Sequence, residues 1–182
     1  MYRALKLIDD TNSNATLNTN LTKVKGMEDS MNIHGYVTVI KNAGTDSEEV
    51  ICKNKHNLLT NSGRDWMHAQ VYTNTSAGTR GAGYIGLSSN AAAPAASDTT
   101  LTGEITTGGL ARVDAGTKTH TGGTNSTTIQ HTFTASAVHT AVVKASLFNA
   151  ASSGYMAHIN TFTAVTLQAS DTLQVTWTVT LG

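Results

Sequence analysis

The chain has 182 residues, of which 31 are threonine, 16 glycine, one proline and one cysteine. So much threonine, a poor helix former and a good strand former, argues against a helical bundle, and the length suits one main core with an appendage. Twelve basic residues balance twelve acidic ones without forming a stripe or block, which counts against nucleic acid and anionic membranes as partners.

No apolar run approaches the roughly 20 residues that a membrane-spanning helix needs. The opening MYRALKLIDDTNSNATLN has too short an apolar stretch, and acids too early, for a signal peptide, so a cytoplasmic site of synthesis is expected. The lone Cys52 leaves no internal disulfide and no thiolate-rich zinc site. Charge is uneven: seventeen of the 24 charged side chains fall in residues 1–80 and seven in the remaining 102.

Residues 1–32 are expected to form the appendage. Between residues 9 and 32 the chain is rich in Asn, Thr, Ser, Asp and Lys, with apolar residues too sparse to make a face. An extended arm is expected, ordered by contact with a neighbour and anchored by Tyr2, Leu5, Leu7 and Ile8 and then by Leu17, Leu21, Val24 and Met27. Residues 33–182 are expected to make one domain. GYVTVIK and EEVICKN alternate with period two around the turn-rich NAGTDS, predicting a β-hairpin over 35–54. A helix is predicted over 60–72, capped by Asn61 or Ser62, with Asp65 in its first turn and Trp66, Ala69, Val71 and Tyr72 as its apolar stripe.

Strands and loops follow: YIGLS, the loop NAAAPAASD, then TLTGEI, GLARVDAGTKTH, TIQHTFTAS, AVVKASLFN, YMAHINTFTAVTLQ and TLQVTWTVTL. In the last of these Leu173, Val175, Trp177, Val179 and Leu181 alternate with Thr and Gln, the pattern of one buried and one wet face. The expected fold is all-β, an antiparallel two-sheet sandwich of jelly-roll type with one short helix and an N-terminal arm. A threonine-studded C-terminal strand at a sheet edge would invite pairing with another chain. With only Asp114, Lys118, Lys144 and Asp171 charged between residues 113 and 182, self-association is expected.

Little in the chain points to catalysis or cofactors. His120, His131, His139 and His158 lie on different predicted strands, and no HxH, HxxxH or HExxH pair sets two metal ligands on one element. No nucleophile elbow or phosphate-binding loop occurs. Acids are scarce in the strand-rich part and aromatics are 5 % of the chain, so a paired-carboxylate glycosidase groove is not expected. The reading is a non-enzyme without cofactor or metal. Glu104 and Arg112 stand nearly alone among uncharged neighbours, and a Gly108–Gly109 turn between them would fold one back on the other as a partly buried ion pair that fixes register. His131 and His158 are candidates for an oligomer interface.

The order NLLTNSGRDWMHAQVY, YIGLSSN, SDTTLTGEI, GLARV and FTAVTLQASDTLQVTWTVTL, over about residues 57–182, resembles structural proteins of tailed-bacteriophage virions. The resemblance implies a β-sandwich subunit, with Asp98, Leu101, Glu104 and Arg112 matching the acidic-to-arginine segment and Asp171 to Trp177 the closing strand. It transfers no catalytic residue. It implies a head decoration or cement protein on the capsid exterior, homotrimeric, with the major capsid protein of the same virion as partner and the arm running over the shell. The alternatives are a tail, collar or fibre-associated subunit, and a host-glycan-binding module.

Overall fold

The computed structural model describes residues 33–68 and 81–181. These form ten strands and one helix: β1 Ile33–Lys41, β2 Glu49–His56, β3 Leu58–Leu59, α1 Asn61–His68, β4 Tyr84–Ser88, β5 Val113–Asp114, β6 Thr117–His120, β7 Ser126–Thr134, β8 His139–Phe148, β9 Met156–Leu167 and β10 Thr172–Leu181. One five-stranded antiparallel sheet runs β2-β1-β10-β7-β6 and the other β3-β9-β8-β4-β5. The pairs β1–β10, β3–β9, β4–β8 and β6–β7 nest inside one another, as in a jelly roll. In a jelly roll successive nested pairs alternate between sheets, whereas β3–β9 and β4–β8 share one here.

Alternation decides which side chains meet between the sheets. Val37 and Val39 of β1, Leu173, Val175 and Trp177 of β10, and Ile129 and Phe133 of β7 face inward from the first sheet. They meet Ile85 and Leu87 of β4, Ala145 and Leu147 of β8, and Phe162, Val165 and Leu167 of β9. The alternate residues of the second sheet are buried too: Tyr84, Phe148, Met156 and Ile159 pack with Leu101 in a second apolar cluster on its other face. The long stretch between β4 and β5 therefore lies over this sheet, as α1 does over β9. At that contact Gly63 is required, since a Cβ there would lie 2.5 Å from the Ala157 carbonyl oxygen.

Several expectations are corrected. The helix cap is Thr60 and neither of the expected Asn61 and Ser62: its buried hydroxyl accepts from the Gly63 amide at 3.0 Å and donates to the Met156 carbonyl. Asp65 consequently falls beyond the first turn, and the expected helical residues 69–72 lie outside the described residues. TLTGEI gives only an isolated bridge between Ser88 and Glu104. GLARVDAGTKTH is two strands in different sheets, parted at Ala115 and Gly116. The C-terminal strand β10 sits between β1 and β7, so its backbone groups are paired on both sides and it is no edge.

Candidate functional site

Glu104 and Arg112 meet. Arg112 donates from Nε to Glu104 Oε1 at 2.7 Å and from Nη2 to Oε2 at 2.6 Å, the planar fork on a carboxylate. The turn between them uses positive φ at Gly108 and Gly109, where a Cβ on Gly109 would stand 2.0 Å from the Thr134 carbonyl oxygen. Arg112 also donates from Nη1 to the carbonyls of Ser153 at 2.9 Å and Ala150 at 3.3 Å, and its Cζ lies 3.4 Å from the centroid of the Phe148 ring. One guanidinium thus ties together the turn after Leu101, the end of β8 and the β8–β9 loop. The sequence could not announce Phe148 as a partner, because no local spacing joins positions 36 residues apart.

The two histidines separate. His158 is 1 % exposed and points inward, stacked on Trp177 with centroids 6.1 Å apart. It presents no surface to another chain, which corrects its candidacy for an interface. Burial pushes its pKa down to about 4, and its Nδ1 has no hydrogen-bond partner among the described residues. His131 lies on the same face of β7 as Ile129 and Phe133, half-buried, with its ring edge-on to Phe133 at 4.7 Å. Desolvation also lowers its pKa. Cys52 is half-buried against the core, and burial pushes its thiol pKa up, so the residue stays a thiol at neutral pH. The arm anchors Tyr2, Leu5, Leu7, Ile8, Leu17, Leu21, Val24 and Met27 lie outside the described residues.

An extended polar surface among the described residues is the outward face of the first sheet. Positions alternate with the core residues, so register brings Tyr36, Thr38 and Ile40 of β1 beside Thr172, Gln174, Thr176, Thr178 and Thr180 of β10. Next come Thr128, Gln130, Thr132 and Thr134 of β7, then Thr117 and Thr119 of β6. These outward positions carry no Lys, Arg, Asp or Glu, and their side chains are half-exposed or exposed. Polar contacts cross the strands: Gln130 Nε2 donates to Thr176 Oγ1 at 2.8 Å and Thr38 Oγ1 to Asn54 Oδ1 at 3.3 Å. At one end Tyr36, Asn54, Asn125, Ser126, Thr178 and Thr180 line a shallow depression of about 380 Å³.

The same end holds a pair that motif search misses. His34 Nδ1 and His56 Nε2 lie 3.4 Å apart, although 22 residues separate them in the chain. The predicted hairpin was the one available signal, and its bulges shift the register so that spacing alone does not give the pairing. No known protein family, curated protein or solved structure matches the chain.

Proposed function

We propose that the chain is a non-enzymatic structural protein of a tailed-phage virion, a decoration or cement subunit that binds the outside of the shell and bridges capsomers. The observation that carries this reading is the wide uncharged threonine face of the first sheet. Threonine offers a methyl for close packing and a hydroxyl for hydrogen bonding, so a partner can cover such a face without desolvating charges. Much of the outer face of the second sheet is covered by its own chain, around Tyr84, Phe148, Met156 and Ile159, whereas the outward positions of β1, β10, β7 and β6 are half-exposed or exposed throughout, which favours the first sheet as the contact surface. The resemblance of residues 57–182 to virion proteins supports the same reading. In it the major capsid protein is the partner, residues 1–32 run over the shell, the subunit is a homotrimer, and neither nucleic acid nor membrane is bound.

The mechanism is linkage: a subunit that binds the expanded shell in preference to other states shifts the equilibrium toward that shell. The test is to image virions carrying labelled protein. Label across the outer shell at capsomer boundaries is expected, together with DNA loss at lower temperature from particles lacking the protein. Label confined to the tail or portal vertex would replace this reading with the tail or collar alternative. The depression at Tyr36, lined by amides and hydroxyls, gives the glycan-binding alternative its own footing, and binding of the isolated protein on a glycan array, abolished by Tyr36→Ala, would favour it.

A further inference from the structure

β1 and β2 are joined by the turn at residues 42–48, and their register sets Tyr36 opposite His56. His34, two residues before Tyr36 on the same strand face, then lies diagonally across from His56, within side-chain reach. Both rings are exposed. Their centroids are 5.6 Å apart at an interplanar angle of 61°, and Tyr36 packs edge-on against His56 at 5.4 Å and 82°, which restricts how that ring can turn.

The separation of the nitrogens is informative. At 3.4 Å, His34 Nδ1 and His56 Nε2 are farther apart than the roughly 2.7–3.2 Å of a good nitrogen-donated hydrogen bond. Two imidazole nitrogens bound to one tetrahedral zinc at about 2.0–2.1 Å stand roughly 3.3–3.4 Å apart. The two nitrogens therefore already stand at the spacing of a metal chelate, and since they face one another as a hydrogen-bonding pair, a bound ion would take the place of the proton between them. No third His, Cys, Asp or Glu joins them among the described residues. A metal held here would keep positions open for water or for a donor from another molecule.

We propose that His34 and His56 form a two-histidine surface site for a divalent late transition ion, Zn²⁺, Ni²⁺ or Cu²⁺. Imidazole suits these borderline ions, whereas Ca²⁺ and Mg²⁺ require oxygen ligands and should not bind here. The site sits beside the depression at Tyr36 and Thr180, on the face assigned to partner contact, but the metal chemistry does not depend on that assignment.

The experiment is titration of the full chain with ZnCl₂, NiCl₂ and CaCl₂, followed by calorimetry and by loss of histidine ring NMR signals on adding Ni²⁺. Zn²⁺ and Ni²⁺ should bind and Ca²⁺ should not, with ring signals of His34 and His56 lost first. His34→Ala and His56→Ala should each weaken Zn²⁺ binding at least tenfold with unchanged thermal melting, because both side chains are exposed. His120→Ala, at an exposed histidine on β6, should bind like the parent chain. Sedimentation with Zn²⁺ adds a second reading: one ion per chain without association, or one ion per two chains with dimer formation, each support the site. Failure of the parent chain to bind Zn²⁺ and Ni²⁺ at millimolar concentration, or binding that both alanine variants retain, would overturn it.

Discussion

Arg112→Ala is the most informative single change, because the side chain joins three chain segments at once. It removes two charged hydrogen bonds to Glu104, two to the Ala150 and Ser153 carbonyls, and the guanidinium over Phe148. The arginine and glutamate side chains are 10 % and 21 % exposed, so the pair is neither a surface pair of little worth nor a wholly desolvated one. Breaking a buried pair costs about 3–5 kcal/mol and an exposed one about 0–1 kcal/mol. With the cation–π contact adding about 1 kcal/mol, a loss of about 3 kcal/mol is expected. Arg112→Lys should lose about 2 kcal/mol despite keeping the charge, since an ammonium cannot make the fork or lie flat on the ring. Glu104→Ala combined with Arg112→Ala should destabilise by less than the two single losses together, with a coupling of about 1–2 kcal/mol. The assay is equilibrium urea unfolding at pH 7 with the slope unchanged. An Arg112→Ala variant within about 0.5 kcal/mol of the parent, or a loss that vanishes at high salt, would refute the assignment of a shielded clamp.

Further outcomes follow from other parts of the structure. His158 is neutral in the fold down to about pH 4, whereas the unfolded chain takes up its proton near 6.5; stability should be complete above that value and fall as the pH drops between the two, by roughly 3 kcal/mol in all. Thermal melting against pH should show this fall in the parent and a shallower one in His158→Phe, and equal slopes would count against it. Gly109→Ala should cost more than about 2 kcal/mol, because positive φ and a carbonyl 2.0 Å from the new Cβ both oppose it. Gly44→Ala, with φ of +77° but open space, should cost only about 1 kcal/mol by the same urea assay. Thr60→Ala should lose about 2 kcal/mol by removing the helix cap and a buried donor, while Thr60→Ser keeps both and stays near the parent.

The local pattern was enough for the class of fold and for most of the strands. Strict alternation in TLQVTWTVTL made it a strand and put Leu173, Val175 and Trp177 on the buried face, because side chains on a strand repeat every two residues whatever lies beside it. The β1–β2 hairpin was legible for the same reason, with a turn-rich segment between two alternating runs. The Glu104–Arg112 pair was legible because only a glycine turn lies between its members.

Neighbours beyond that range were decided by the tertiary structure. Whether β10 is an edge or a centre depends on β1 pairing with it from the far end of the chain. The division of residues 109–120 between two sheets depends on β4 and β7 each taking a different half. His158 became a core residue because β9 turns it toward Trp177 of the opposite sheet, and His34 met His56 because a bulged register carried them together. Periodicity along a strand reports which side chains share a face; which other strand that face or edge meets is set by hydrogen bonds and packing between residues distant in sequence, and these exist only once the chain has closed on itself.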